Sequence, residues 1–196
     1  LLYKKQLTEK DTLFIVINGT QHGSSLVGCE AASITTLKAI ETLQPDLVIN
    51  SGTCGAFKRK GADIGHVYIG NAVMFHDRRV MGDDEWGTQA LGNYKLWEKS
   101  EEIAQCLNLK TGKVTTGSSL DMQPCDLEII EENNGELKDM EAAAVAFVCS
   151  LFKTPCLLVK SVTDLLDDGE NTLEEFRRNL FQASTELSKA NIRLIE

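Results

Sequence analysis

The chain has 196 residues, of which 42% are hydrophobic and 25% charged, an ordinary balance for a globular protein and enough to bury one core. Its net charge of −9 argues against binding nucleic acid or an anionic membrane surface through bulk charge. No apolar run approaches the roughly 20 residues that span a bilayer. We therefore expect a single domain over residues 1–196 that binds no nucleic acid and enters no membrane.

The cysteine pattern concerns metal binding and redox compartment. The six cysteines form no CxxC pair, and His66 and His76 are not spaced with them as zinc ligands are. Most lie in apolar surroundings, so we interpret them as small core residues in a reducing compartment. This predicts a cytoplasmic protein without a bound metal. Because residue 1 is Leu and not Met, the sequence leaves open a targeting segment that has been removed.

Strand patterns and helix patterns alternate along the whole chain. Strands are predicted at residues 12–17, 46–50, 66–75, 113–116 and 155–162. Helices are predicted at residues 29–43, 94–107, 126–132 and 172–192, with another one after Glu141. Thr172 and Glu175 have the spacing of a capping box at the start of the last helix. Residues 82–92 are predicted as a loop. The alternation predicts an α/β fold, a three-layer α/β/α domain around a mixed, largely parallel sheet.

The stretch from residue 137 to 146 reads as the end of a strand that enters a helix. Apolar residues continue to Phe152, which indicates a buried helix. Asp139, Met140 and Glu141 stand at its entrance, and a carboxylate there must find hydrogen-bond donors or lose its charge. A ligand rich in hydroxyl groups would supply such donors. The alternative is that Glu141 only responds to the dipole of the helix.

Two further segments follow predicted strands. Residues 51–56 form a loop of small residues, where a backbone can approach a ligand closely, although a purely structural turn is the alternative. This loop is neither a Walker loop nor a GxGxxG motif. Thr163 and Asp164 end the strand at 155–162. If these strand ends share one crevice, one carboxylate can protonate a leaving group while the other holds sugar hydroxyls.

Four short motifs occur in a specific order. They are Asn-Ser-Gly-Thr-Cys-Gly at 50–55, Phe-His-Asp-Arg-Arg at 75–79, Lys-Asp-Met-Glu at 138–141 and Ser-Val-Thr-Asp at 161–164. From about Leu13 to the C-terminus the chain resembles the nucleoside phosphorylase/nucleosidase superfamily, in particular the plant-type 5′-methylthioadenosine nucleosidases. The resemblance implies a nucleoside phosphorylase-like fold, a homodimer, no cofactor, and hydrolysis of 5′-methylthioadenosine to adenine and a 5-thioribose in methionine salvage. S-adenosylhomocysteine is a second candidate substrate.

The resemblance also implies roles for individual residues. Asp164 matches the aspartate that protonates or hydrogen-bonds adenine N7, and burial would supply the raised pKa that this role needs. Glu141 matches the glutamate that binds the ribose 2′- and 3′-hydroxyls and stabilises an oxocarbenium-like ribose. Met140 lies against the sugar in this comparison.

Other matched positions line the remainder of the expected pocket. Leu120 and Asp121 match a segment that flanks the adenine and reads its edge through backbone groups. Thr53 and Gly55 match the floor under ribose and base, and Thr163 precedes the catalytic aspartate. Val27 matches an apolar contact near the substrate's sulfur, and Lys160 a basic residue behind the site.

One departure from the family leaves alternatives open. In the family the first strand ends in a glutamate that activates the attacking water, and residues 1–12 contain no counterpart, so we expect that strand to be missing from this sequence. Phosphorolysis is an alternative, although Asn50 stands where purine nucleoside phosphorylases carry an arginine; Arg78 and Arg79 would then supply charge. A second alternative is a non-catalytic storage or regulatory relative.

Overall fold

The computed structural model describes residues 2–80 and 85–196. Its strands are β1 (Leu2–Gln6), β2 (Thr12–Val16), β3 (Thr20–Gln21), β4 (Ser24–Ser25), β5 (Val48–Ala56), β6 (Val67–Phe75), β7 (Lys110–Thr116), β8 (Leu137–Asp139) and β9 (Cys156–Leu165). Its helices are α1 (Cys29–Leu43), α2 (Glu85–Leu91), α3 (Ser100–Leu107), α4 (Pro124–Glu132), α5 (Ala142–Phe152) and α6 (Thr172–Ile195), with a 3₁₀ turn at Lys58–Lys60.

The main sheet contains five strands in the order β5–β8–β7–β6–β9 and closes on itself. Neighbours are parallel at β5–β9, β6–β7 and β7–β8, and antiparallel at β5–β8 and β6–β9. The mixed, largely parallel sheet is thus as predicted, while its closure was not. The pairs β1–β2 and β3–β4 form two separate two-stranded sheets.

Strand β9 shows why helices cover both faces of the sheet. All ten of its residues are buried, and successive side chains of a strand point to opposite faces. Leu158 and Val162 belong to an apolar cluster with α1 and α5, while Leu157 and Val159 belong to another that includes residues of α3 and α6. A strand buried on both faces reads as a continuous apolar run, which is what residues 156–159 show.

Helix α5 begins where predicted, directly after a short strand. Seven of its residues are buried, among them the three alanines after Glu141. These small side chains let α1 pack closely against α5.

No helix in the described part of the chain has the length and apolar character needed to cross a bilayer.

Several predicted element boundaries were wrong. Residues 51–56 are not a loop but the second half of β5, because they pair with β9 as far as Ala56 opposite Leu165. The helix predicted from residue 94 begins at Ser100. Within the predicted loop 82–92, residues 85–91 form α2, and residues 82–84 lie outside the described residues.

The predicted capping box of the last helix was also wrong. Asn171, not Thr172, is the N-cap residue, and its side-chain oxygen accepts hydrogen bonds from the amides of Leu173 and Glu174 at 3.1 and 3.2 Å. The carboxylate of Glu175 instead accepts a hydrogen bond from the Leu165 amide at the end of β9, at 3.0 Å. Helix α6 is therefore tied directly to the strand that carries Asp164.

The cysteines match their predicted role only in part. All six are free thiols. Cys54, Cys149 and Cys156 are buried, whereas Cys106 and Cys125 are exposed and Cys29 is half-buried. Apolar neighbours in the sequence therefore predicted burial for only some of them, because helix faces turn toward solvent every few residues.

Candidate active site

An irregularity in strand pairing sets the position of Asp164. Cys54 of β5 lies opposite Val162 of β9, but the next residue, Gly55, lies opposite Asp164. Thr163 is thus an extra residue, a β-bulge of the kind that re-aims side chains at strand ends. The carboxyl group of Asp164 lies over Gly55, since a Cβ atom on Gly55 would be 2.5 Å from Asp164 Oδ2. A side chain at residue 55 would therefore force the Asp164 carboxyl group to shift.

The surroundings of Asp164 favour its protonated form. Asp164 is 4% exposed, and this burial raises the pKa of its carboxyl group; the Thr163 hydroxyl and the charge of Lys138 only partly oppose the effect. Thr163 Oγ1 lies 2.8 Å from Asp164 Oδ1 and 3.2 Å from the Cys54 carbonyl oxygen. A hydroxyl has one proton for these two acceptors. When it donates to the Cys54 carbonyl, it no longer donates to the carboxylate, so Asp164 can hold a proton and act as a general acid.

Glu141 is the residue immediately before α5, and its side chain reaches a different element. Its Oε1 accepts a hydrogen bond from the Gly28 amide at 2.8 Å, and it caps no amide of its own helix in the described structure. Gly28 has a φ of 95°, a conformation that favours glycine. Burial, followed by the charge of Asp139, raises the pKa of Glu141. A half-buried carboxylate with a raised pKa can accept hydrogen bonds from sugar hydroxyls.

Asp139 and Lys160 form a buried ion pair beneath Glu141. Lys160 Nζ lies 2.7 Å from Asp139 Oδ2, and both side chains are 1% exposed. Asp139 also accepts hydrogen bonds from Thr116 Oγ1 at 2.6 Å and from the Ala142 amide at 2.8 Å. Burial lowers the pKa of Lys160, but the attraction of Asp139 and Glu141 outweighs it and leaves this pKa raised. The pair fixes the start of α5 and hence the position of Glu141.

The loop after β7 carries the predicted base-binding segment. Lys138 Nζ donates hydrogen bonds to the carbonyl oxygens of Ser119 at 2.6 Å and Leu120 at 3.0 Å. Asp77 Oδ2 accepts a hydrogen bond from the Ser118 amide at 2.6 Å. The loop is therefore held by the strands on either side of β7, that is, by β8 and by the end of β6.

The loop's side chains are more exposed than its backbone contacts suggest. Leu120 is 37% exposed. Asp121 is exposed, and its Oδ2 accepts a hydrogen bond from Gln123 Nε2 at 2.6 Å. These contacts leave the backbone and the Leu120 side chain to recognise a base. That this loop binds a base stays a prediction.

The remaining predicted residues fall into two groups. Val27, which is 64% exposed, immediately precedes Gly28, and the Met140 carbonyl accepts a hydrogen bond from Cys29 Sγ at 3.4 Å. The loop before α1 therefore lies against the Met140–Glu141 corner. Thr53 is half-buried in β5, opposite Ser161 of β9.

A sequence profile of the phosphorylase superfamily matches residues 3–196 of the chain. The chain belongs to the phosphorylase superfamily. The nucleoside phosphorylase-like fold predicted from the four motifs is thereby confirmed.

Among relatives in the superfamily, the 5′-methylthioadenosine/S-adenosylhomocysteine nucleosidase of Arabidopsis thaliana is 42% identical over 176 residues, covering 89% of this chain and 68% of that protein. The 5′-methylthioadenosine nucleosidase of the same plant is 45% identical over 163 residues, covering 81% of this chain and 58% of that protein. The chain thus spans about three fifths to two thirds of the length of these relatives.

A solved structure gives the same result for the fold. The structure of Arabidopsis thaliana 5′-methylthioadenosine nucleosidase in apo form superposes with a TM-score of 0.93 at 39% identity, covering 99% of this chain and 79% of that chain. The likeness therefore extends over the elements that carry Asp164, Glu141 and the loop after β7.

Sequence reasoning missed three contributors to the candidate site. Lys138 was quoted within a motif but given no role, and Asp139 was noted only as a carboxylate at the entrance of the helix, although two charged residues inside a short strand next to a buried helix are a signal. Gly28 carried no signal that separates it from other loop glycines. Its contact with Glu141 joins residues 113 positions apart in the chain.

Proposed function

We propose that the protein hydrolyses the N-glycosidic bond of 5′-methylthioadenosine and releases adenine and methylthioribose. The observation that carries the proposal is the carboxyl group of Asp164 over Gly55, where burial raises its pKa and so favours the protonated form that can give a proton to a leaving base. The two Arabidopsis relatives, named as nucleosidases, support the choice of reaction and substrate.

In the proposed mechanism, proton transfer from Asp164 to adenine N7 lets the base take the electron pair of the C1′–N9 bond. The ribose becomes oxocarbenium-like, and the Glu141 carboxylate binds the 2′- and 3′-hydroxyls and stabilises this positive charge. Water adds to C1′ and gives up a proton. The family resemblance assigns that proton to a glutamate at the end of a strand, and residues 1–12 contain no counterpart.

Hydrolysis is favoured over phosphorolysis by the positions of the candidate cations. Arg78 stacks on the Phe75 ring at 4.6 Å from its centroid, and its Nη1 lies 3.5 Å from the Tyr94 hydroxyl. Arg79 Nη1 lies 3.5 Å from Asp126 Oδ1. A phosphate dianion calls for cations that are free to bind it. Arg79 is already paired with a carboxylate, and Arg78 is held against an aromatic ring by neutral partners.

We further propose a homodimer whose interface includes helices α1 and α5. These helices pack together, and each exposes apolar side chains at helical spacing: Ile34 and Leu37 on α1, Phe147 and Leu151 on α5. Such a surface next to the Val27 loop fits a contact between copies near the sulfur end of the substrate. Light scattering should give the mass of a dimer for the unmodified protein and the mass of a monomer for Ile34→Asp. Equal masses for the two proteins would reject this interface.

The cellular role follows from the products. Methylthioribose retains the methylthio group, so its release would serve methionine salvage, and six free thiols fit a cytoplasmic protein. S-adenosylhomocysteine differs from methylthioadenosine only in the group on sulfur. Its use as a second substrate therefore depends on space beside Val27.

Adenine release from 5′-methylthioadenosine, measured with and without phosphate, tests the proposal. Release that is independent of phosphate, with methylthioribose as the second product, is the expected result. Release only with phosphate would replace hydrolysis by phosphorolysis. The absence of release from the full-length protein under both conditions would favour a non-catalytic relative.

A further inference from the structure

Gly55 lies between two buried charged residues on neighbouring strands. In the register of the sheet it is opposite Asp164 of β9 on one side and opposite Lys138 of β8 on the other. Lys138 is 5% exposed and Asp164 4% exposed. Because Gly55 has no side chain, no side chain of β5 separates them at this level.

Lys138 differs from the other buried lysine of the sheet. Lys160 binds a carboxylate, Asp139, at 2.7 Å. Lys138 Nζ binds two neutral carbonyl oxygens, those of Ser119 and Leu120, and it forms no ion pair within residues 2–80 and 85–196. Its charge therefore stays available to act on nearby ionisable groups, at short range in a buried environment.

Charged and titratable groups surround both residues. Burial lowers the pKa of Lys138, and carboxylates from several elements oppose this: Asp164 of β9, Asp126 of α4, Asp121 of the loop and Asp139 of β8. The Lys138 charge also helps to lower the pKa of buried His76. Asp164 is faced in turn by Lys138, by Cys54 of β5 and by Glu175 of α6. Within residues 2–80 and 85–196, Lys138 is the cation whose charge acts on the Asp164 carboxyl group.

We propose that Lys138 is a positioning residue that couples the base-binding loop to the general acid: it holds the carbonyls of Ser119 and Leu120 and lies across Gly55 from Asp164. The inference rests on the proposed function, in which Asp164 protonates the base. A residue that binds the loop and faces the acid would align the two groups between which the proton moves.

The charge of Lys138 has a defined effect on the pH profile. A nearby cation lowers the pKa of Asp164, although burial acts more strongly in the opposite direction. Removal of the cation raises this pKa further, so Asp164 keeps its proton to higher pH. The high-pH limb of kcat/KM therefore moves to higher pH in a variant without the charge.

The experiment compares Lys138→Met and Lys138→Gln with Lys138→Arg in the full-length protein. Met and Gln should move the high-pH limb upward by about one pH unit, whereas Arg should leave it in place. Met should also raise KM about tenfold by releasing the loop carbonyls, and Gln less, since its amide can still donate. Lys60→Met is the matched control, because Lys60 Nζ also holds a loop carbonyl, that of Gly135, at 2.8 Å.

The proposal would be overturned if the high-pH limb of kcat/KM does not move in folded Lys138→Met or Lys138→Gln, or if it moves equally in Lys60→Met. The titration of the ¹³C-labelled Asp164 carboxyl group, assigned with Asp164→Asn, gives an independent readout. If the wild-type protein releases no adenine, the proposed function fails while this titration still decides the Lys138 inference. If Lys138→Met does not fold, Lys138→Gln carries the test.

Discussion

Asp139 and Asp164 lie at the ends of two strands of the same sheet, and each is 4% exposed, yet their surroundings differ. Asp139 has a lysine, a threonine hydroxyl and a backbone amide as donors. The hydrogen bond that the structure gives Asp164 comes from a hydroxyl shared with a carbonyl oxygen. A buried carboxylate with a full set of donors stabilises the fold, whereas one with few donors is suited to holding and releasing a proton.

The largest effect is expected for Asp164→Asn. An amide cannot protonate the base, so turnover should fall by about 10³-fold or more. The pKa of Asp164 is higher in the folded state than in the unfolded state. At pH values between the ordinary pKa and the raised pKa, the folded protein therefore binds more protons than the unfolded chain. Wild-type stability should therefore fall as pH rises through that window, and the variant should lack this fall. Adenine release and urea unfolding at several pH values measure both effects; normal turnover would remove Asp164 from catalysis.

The same substitution at Asp139 should act on stability first. Asp139→Asn leaves the Lys160 ammonium buried without its counter-charge, which should cost about 3–5 kcal/mol in the free energy of unfolding. Adding Lys160→Met should recover much of this loss, because it removes the unpaired charge. Urea unfolding of Asp139→Asn, of Asp139→Asn combined with Lys160→Met, and of Asp164→Asn tests the comparison. If Asp139→Asn were no less stable than Asp164→Asn, the distinction between the two carboxylates would be wrong.

Glu141→Gln should have an intermediate effect on catalysis. It keeps the acceptor for the Gly28 amide but removes the charge that stabilises the ribose cation, so kcat/KM should fall about 10²-fold. Glu136→Gln is the control, because Glu136 also accepts a backbone hydrogen bond, from Lys113 at 3.0 Å, but lies outside the proposed site. Equal kcat/KM values for the two variants would return Glu141 to the helix-dipole interpretation.

The sequence predicted those features that depend on local pattern. The entry of a strand into a buried helix at Glu141 was confirmed, since a run of small apolar residues has few other solutions. The extra residue Thr163 and the alignment of Gly55 with both Asp164 and Lys138 were not predictable, because register is set by pairing between distant segments. The residues around 51–56 were misread as a loop for the same reason: small residues in a strand look like a turn until the partner strand is known.

The smallest effect is expected for Gly55→Ala, which tests the geometry rather than the chemistry of the site. The new Cβ would lie 2.5 Å from Asp164 Oδ2 and 2.7 Å from Leu166 Cδ2, so the carboxyl group must shift. Overpacking of this kind costs about 1–3 kcal/mol, and we expect kcat/KM to fall about tenfold. Gly52→Ala in the same strand is the matched control, since its Cβ would meet Lys160 Nζ at an ordinary 3.5 Å. Similar losses in both variants would show that a side chain added at either glycine of β5 disturbs the site to the same extent. A loss confined to Gly55→Ala would show that Asp164 needs the space that the absence of a side chain at residue 55 leaves between β8 and β9.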